Sequence, residues 1–362
     1  MVRFCLTSPL LRNTSTIEIS IEMYKVSILV PVYRVEAYIE RCARSLFEQT
    51  YANIEYVFVD DCSPDNCIEV LKDVMAQYPE RANNVRILRH EKNRGLAVAR
   101  NTALDNATGE FVCVVDSDDW LELDAIELLV GKQVETDTDI VTGNAHMYYE
   151  DGVKDLVEKK YADKNQMLLQ QLKDTWTMDT FIWGRIYRRS LYEDNHIRCM
   201  EGANYAEDRY QVVRLAYFAK SFAAVDAFVY NYEKRNDTSI TKLQKENINA
   251  YLRNQYQHLQ NWIGIRNFFS DKERPYYQLA VMNTSYLMKL NLDWALKYKT
   301  KEDFSDIVKL IDENEDCMKA LGWKKKGLKG ALLHNYRYMW FKQIVKRTTR
   351  KVGRKLGVVK TE

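Results

Sequence analysis

Four short runs, each ending in charged or turn-forming residues, constrain this chain most: Val26 to Val32, Ile54 to Asp61, Val85 to Arg89 and Phe111 to Val115. All are rich in β-branched or aromatic side chains, and the first and last are apolar almost throughout, the pattern of strands buried on both faces. Helical spacing fills the gaps. Ala37, Ile39, Cys42, Ala43, Leu46 and Phe47 share a stripe, and Ile68 to Tyr78 and Leu96 to Asn106 follow the second and third runs. Strands alternating with helices of about ten residues make right-handed βαβ units, so the expected class is α/β with a doubly wound, mostly parallel sheet. Such sheets bind ligands beyond the carboxyl ends of their strands, where Pro31 to Tyr33, Asp60 to Asp61 and Asp116 to Asp119 should converge.

The fourth run is followed by Asp116-Ser117-Asp118-Asp119-Trp120. Carboxylates this close repel one another unless a proton or cation neutralises them, and alternation at an extended strand end puts Asp116 and Asp118 on the same side. Two readings are open. The acids hold a divalent metal, or Asp118 caps a helix starting near Trp120.

Charge and cysteine content narrow the class. The net charge of +2 hides an asymmetry: from Trp323 onward there are thirteen Lys and Arg against one acid, Glu362. The seven cysteines are odd in number and form no C-x-x-C pair, which suggests neither a disulfide framework nor a zinc site. No apolar run approaches the roughly 18 residues of a membrane span, and Met1 to Tyr24 lacks a signal-peptide h-region. The expected location is cytoplasmic. Met23 immediately precedes the first strand, so residues 1–22 are expected to be a loose N-terminal extension.

The ordered segments Val26-Ser-Ile-Leu-Val-Pro-Val-Tyr33, Val59-Asp-Asp-Cys-Ser-Pro-Asp65, Asn93-Arg-Gly-Leu-Ala-Val-Ala-Arg-Asn101 and Val115-Asp-Ser-Asp-Asp119 resemble the family 2 inverting glycosyltransferases. These have the Rossmann-like, nucleotide-sugar-binding GT-A fold. The resemblance spans Lys25 to Asn144 and extends more loosely to Thr241.

It implies a division of roles. The nucleotide base would lie against Pro31, Val32 and Tyr33. Its imino N–H would donate to an acid of the Asp60-Asp61 pair, with Asp61 favoured, which suits uracil. Arg100 would reach the nucleotide, against the alternative of a solvated helix arginine. Asp116 would serve the ribose and sugar side and, with Asp118, a Mg²⁺ or Mn²⁺ bridging the diphosphate; hard cations choose oxygen ligands. Asp119 is left as the helix cap.

Three later segments extend the resemblance. Trp183 to Leu191 is similar to a family motif usually reading Trp-Asn-Lys-Leu-Tyr-Arg, with a role for Arg185 left open between acceptor contact and structure. Glu207-Asp208 opens an apolar helical pattern, where acids complement the helix dipole. The resemblance makes Asp208 the general base and Glu207 its support, since an inverting transfer needs a carboxylate opposite the leaving group. Arg235, in the Arg235 to Thr241 loop, is a candidate anion contact near the diphosphate.

The expected organisation is thus an extension over 1–22, a GT-A domain over 23–242, a helical appendage over 243–322 and a basic amphipathic tail over 323–362. Leu252, Tyr256, Leu259, Ile263 and Phe268 keep helical spacing, as do Leu287, Leu290, Trp294 and Leu296. In the tail, Leu332, Tyr336, Met339, Trp340 and Ile344 form an apolar face among basic residues, which suits an anionic membrane surface at the inner face of the cell membrane. No nucleic-acid module accompanies it. The function expected is metal-dependent transfer of a sugar from a UDP-sugar donor to a hydroxyl of a glycan or lipid-linked acceptor in surface polysaccharide synthesis. The alternative is a nucleotide-binding scaffold of the same fold without catalysis. Nucleotidyl transfer would want a glycine-rich phosphate loop after strand one, which Pro31-Val-Tyr-Arg-Val-Glu-Ala37 lacks.

Overall fold

The computed structural model describes residues 24–159, 161–173, 177–240, 242, 247–298, 309 and 313–320. The expected extension over 1–22 and the basic tail lie outside the described residues. The chain begins as anticipated: β1 (Val26–Val32), α1 (Ile39–Phe47), β2 (Ile54–Asp60), α2 (Cys67–Met75), the single turn α3 (Pro79–Ala82), β3 (Val85–Arg89), α4 (Leu96–Asp105) and β4 (Phe111–Val114).

β1 pairs in parallel with β2 and β4, and β2 with β3. The two-residue period of a strand sends Ile28, Val30, Tyr56, Phe58 and Cys113 to one face, where α1 and α2 cover them. Leu29, Val57, Val59, Val112 and Val114 go to the other, against Ala99, Ala103 and Leu104 of α4. Both faces are dry, which is why these strands show little polar alternation. Register brings Val32 beside Asp60 and Leu29 beside Val114, so the carboxyl ends finish together. Pro31 fits this central strand because the Leu29 carbonyl accepts the last bond from the β4 side, at Val115. The proline nitrogen points the same way, two residues beyond, where that ladder has stopped.

After β4 the sheet becomes mixed. The elements are β5 (Trp120–Leu121), α5 (Ala125–Thr136), β6 (Ile140–Tyr149), β7 (Gly152–Leu156), α6 (Lys164–Gln171), β8 (Arg185–Arg188), α7 (Arg189–Asp194), α8 (Glu207–Phe218) and β9 (Phe222–Glu233). The strand order is β3-β2-β1-β4-β8-β6-β9-β5, with β7 on β6. β8 runs antiparallel between β4 and β6, so the parallel character belongs to the first four strands and to the β6–β9 pair. One expectation is corrected here. No helix starts near Trp120, because Trp120 and Leu121 form an edge strand antiparallel to Asn231 and Tyr230, and α5 begins only at Ala125.

The C-terminal region is helical, as anticipated, with α9 (Ile248–Phe268), α10 (Arg274–Tyr298) and the short α11 (Glu315–Ala320). Asn247 accepts the Asn249 amide at 2.9 Å and so caps α9. Leu259, Trp262, Ile265 and Phe269 share a core with Leu168 of α6, Val213 and Ala216 of α8 and Leu287 of α10. The helical region is therefore built onto α8, the helix that carries Glu207 and Asp208. Among the described residues no helix is long and apolar enough to cross a membrane.

Candidate active site

A cleft of about 400 Å³ lies at the carboxyl ends of β1, β2 and β4. Pro31, Val32, Tyr33, Asp61, Arg100, Asp116, Asp118, Glu207 and Asp208 all line it. Tyr33 is 38% exposed there. Two expected residues are placed elsewhere. Asp60 turns its carboxylate to the Ser63 amide at 2.7 Å and to Arg89 Nε at 3.3 Å. Arg235 closes onto Glu233, with Nε 2.7 Å and Nη2 2.6 Å from its carboxylate oxygens.

Asp61 is held from three sides. It accepts the backbone amides of Arg94 at 2.8 Å and Gly95 at 2.7 Å, and it lies 2.7 Å from His90 Nδ1. Thr102 Oγ1 meets the far nitrogen of that ring at 3.0 Å. Asp61 thus organises the turn into α4, whose first cap position is Gly95 at φ +90°. A side chain at Gly95 is excluded twice, by that left-handed conformation and by the Asn204 amide, 2.6 Å from where a Cβ would sit.

Arg100 is 4% exposed and is no solvated helix arginine. Its Nη2 donates to Asp116 at 2.6 Å, its Nη1 to Glu207 at 2.6 Å, and Nη1 also meets Asp208. One buried cation therefore faces three carboxylates that come from the loop after β4 and from α8. Burial opposes the guanidinium charge, but Asp116, Asp208 and Glu207 outweigh it and hold its pKa well above the ordinary value. Burial likewise pushes the carboxyls of Glu207 and Asp208 up, with Arg100 pulling against it. One positive charge cannot compensate three negative ones, so the cluster favours a proton or a further cation.

Asp118 points into the same space. Asn236 Nδ2 donates to it at 2.8 Å, and burial followed by the nearby Asp116 charge pushes its carboxyl up to about 6. The third acid behaves differently. Asp119 accepts the Tyr230 hydroxyl at 2.6 Å and the Glu233 amide at 2.7 Å, while the Asp116 amide donates to that hydroxyl at 3.1 Å. Asp119 caps no helix; it ties the acidic loop to β9. Burial, reinforced by Asp118, raises its pKa well above the usual range.

Several positions that line the cleft or hold its residues escaped sequence reasoning. Asn204 accepts the Ala97 amide at 3.0 Å and so joins the α4 turn to the segment before Glu207. Asn236, beside the arginine singled out in that loop, makes the contact with the acidic motif. Tyr230 and His90 are recognisable only through their partners, which lie 111 and 29 residues away. His258 lines the cleft from α9. Nothing in its helical stripe marks it.

Among the described residues no three His, Cys, Asp or Glu side chains are grouped to hold a metal by themselves. Asp116 and Asp118 nevertheless suit a hard divalent cation whose remaining ligands come from substrate and water. Both offer carboxylate oxygens, and the charge that raises Asp118 is the charge a cation would offset.

Comparison with known proteins bears on the family and the fold. The family model described as Glycosyl transferase family 2 matches residues 27–195. Glycosyltransferase GlyA of Streptococcus pneumoniae is 38% identical over 180 residues, which are 47% of this chain but only 25% of that protein. The uncharacterized glycosyltransferase EpsJ of Bacillus subtilis is 30% identical over 244 residues, covering 64% of this chain and 67% of EpsJ. Among solved structures, S. aureus TarS 1-349 in complex with UDP has a similar fold, with a TM-score of 0.57 and 21% identity over 87% of both chains.

Proposed function

The chain belongs to glycosyltransferase family 2, and from that premise we propose that it transfers a sugar from a UDP-sugar to an acceptor hydroxyl with inversion, aided by Mg²⁺ or Mn²⁺. The observation that carries the reading is the Arg100 bridge, which sets Asp116 and Asp208 on opposite arms of one guanidinium inside one cleft. Such a pairing serves a reaction with a departing anion on one side and an incoming hydroxyl on the other.

In this reading Asp208 takes the proton of the acceptor hydroxyl. That oxygen bonds to the anomeric carbon, the bond from this carbon to the diphosphate oxygen breaks, and its electron pair leaves with the nucleotide. Glu207 and Arg100 hold Asp208 in place. Arg100 also fixes Asp116 toward the donor, and Asp61 with Pro31, Val32 and Tyr33 receives the base. Asp116 and Asp118 would hold the divalent cation, which supplies Lewis-acid stabilisation of the diphosphate when bound. The UDP donor is supported by the likeness to TarS, which is bound to UDP. The acceptor proposed is a growing glycan or lipid-linked sugar in surface polysaccharide synthesis.

The test is nucleotide release from a panel of UDP-, GDP- and dTDP-sugars, with Mg²⁺ or Mn²⁺ and with EDTA, using a mixed glycan acceptor pool. Release from a UDP-sugar that EDTA abolishes supports the reading. No release from any donor points instead to a nucleotide-binding scaffold.

A further inference from the structure

The acid that receives the base in the reading above is largely used up by the protein itself. Asp61 Oδ1 accepts from His90 Nδ1 at 2.7 Å and from the Arg94 amide at 2.8 Å, and Oδ2 accepts the Gly95 amide at 2.7 Å. A carboxylate has about four lone-pair sites, two on each oxygen, so one remains, on Oδ2. Asp61 lines the cleft, and that site takes one N–H from a ligand there.

A second polar group stands beside it. Gly95, whose nitrogen meets Oδ2, carries the Asn204 carboxamide against its α-carbon, with the carboxamide carbon 2.7 Å from where a Cβ would sit. The Ala97 amide can only donate, so the side-chain atom 3.0 Å from it is the Asn204 oxygen, and that fixes which way the carboxamide is turned. Asn204 is half-buried and lines the cleft, and among the described residues no protein group accepts from its Nδ2. One free acceptor and one free donor thus flank a single glycine.

Nucleobase edges differ in what they offer such a pair. Uracil places one donor, N3–H, between two carbonyls, so it matches an acceptor with a donor on either side of it. Guanine sets two donors next to each other, N1–H and the N2 amino group, and one remaining lone pair on Asp61 satisfies only one of them. Cytosine turns a ring acceptor, N3, toward the carboxylate. A site built to pair a substrate's polar groups rejects the base that leaves them unpaired. We propose that Asn204 is a specificity-determining residue for the donor nucleotide, its Nδ2–H donating to the uracil carbonyl next to the N3–H that Asp61 accepts. The inference rests on the UDP-sugar reading above, and it brings a residue of the segment leading into Glu207 and Asp208 to the base.

The test is calorimetric binding of UDP, CDP and GDP to the full chain with Mn²⁺, for wild type and two variants shown to be folded by cooperative thermal unfolding. Asn204→Asp keeps an oxygen for the Ala97 amide and removes only the donor, whereas Asn204→Ala removes both without adding charge. Wild type should bind UDP at least tenfold more tightly than CDP or GDP. Each variant should lose about tenfold in UDP affinity, the effect of one hydrogen bond, and Asn204→Asp should narrow the preference for UDP over GDP. Three results overturn the proposal. UDP binding within twofold of wild type in Asn204→Asp would make the Ala97 tie the whole role of the residue. UDP binding unchanged in Asn204→Ala would reduce the aspartate effect to charge. An equal loss of UDP and GDP in Asn204→Asp would mean that the base is not what Asn204 reads. A wild type without preference for UDP overturns the UDP-donor reading itself, which is a separate outcome from a UDP-selective chain indifferent to Asn204.

Discussion

Arg100 Nη1 lies 2.6 Å from Glu207 Oε1, although 107 residues separate them and both side chains are almost fully buried. Neither would tolerate that burial alone. The bridge is thus the joint between the βαβ half of the sheet domain and α8. Arg100→Met should lower stability by about 3–5 kcal/mol, the usual cost of stranding buried charges, and should abolish turnover. Arg100→Lys should restore little of either, because one ammonium cannot match the fork that meets three carboxylates. Denaturant unfolding beside nucleotide release checks both statements.

Tyr230 supplies one hydroxyl to two parts of the acidic loop, donating to Asp119 and accepting from the Asp116 amide. Tyr230→Phe leaves the ring stack on Trp183, 4.5 Å between centroids, in place. It removes only the tie, and buried Asp119 then keeps the Glu233 amide as its remaining hydrogen-bond donor from this network. The expected cost is about 1–3 kcal/mol of stability, with a rise in the Mn²⁺ concentration needed for half-maximal nucleotide release. Metal titration of the variant, with thermal unfolding alongside, measures the two effects separately.

Far from the cleft, at the opposite ends of the strands, Glu55 is buried beneath a ring of donors. Burial works against its charge, but Ser27 Oγ at 2.5 Å, the Thr108 amide at 2.6 Å and Lys25 at 2.9 Å overcome it and hold its pKa near 2. A carboxyl depressed in the folded state stabilises the fold above its unfolded pKa of about 4.3, and that contribution disappears as pH falls toward 2. Lys25 and Arg86 are partly solvated, so the contribution is discounted to about 2 kcal/mol. Glu55→Gln should lose about that much at pH 7 and should show a flatter stability profile between pH 5 and 2. Equal acid sensitivity in wild type and variant would sink this account.

The strand ends were legible because each apolar run stops at acids or at a turn, and parallel pairing aligns such stops. What lay beyond β4 was harder. Asp119 before Trp120 has the pattern of a helix cap, and the same pattern serves a turn into an edge strand; only the partner strand β9, a hundred residues on, decides between them. Arg235 drew attention as a charge, whereas its neutral neighbour Asn236 is the one aimed at Asp118. Arg100 lies on a helix whose own sequence carries no acid in its first turn, and its three partners, Asp116 beyond β4 and Glu207 and Asp208 at the start of α8, become apparent only in the fold. His258 is hidden because a histidine in an aromatic helical stripe looks like core.

The basic tail leads to a prediction from composition alone. Thirteen Lys and Arg from Trp323 onward, against one acid, should draw the chain to anionic vesicles, each cation near the surface contributing about 1 kcal/mol. Flotation with phosphatidylglycerol-containing liposomes should recover the full chain, and chains ending before Trp323 should stay behind. Retention by purely zwitterionic liposomes in 0.5 M salt would contradict an electrostatic origin.

Asp208 separates chemistry from donor binding more cleanly than any other position. Asn at 208 keeps the shape, and its one side-chain oxygen can accept from Arg100 Nη1 in place of the carboxylate, giving up the Ile182 amide, which reaches the other Asp208 oxygen at 3.4 Å. What it loses is the ability to take a proton. If Asp208 deprotonates the acceptor, Asp208→Asn should lower kcat about 10²- to 10⁴-fold, while UDP binds within a few-fold of wild type. Removing one negative charge from an over-charged cluster should also leave stability unchanged or slightly raised, since burial pushes the Asp208 carboxyl up. A mere support of Arg100 would show the reverse: modest loss of turnover together with lower stability. Steady-state kinetics, UDP calorimetry and unfolding midpoints on this one variant therefore distinguish a base from a strut, and a kcat within tenfold of wild type would assign the proton to another group.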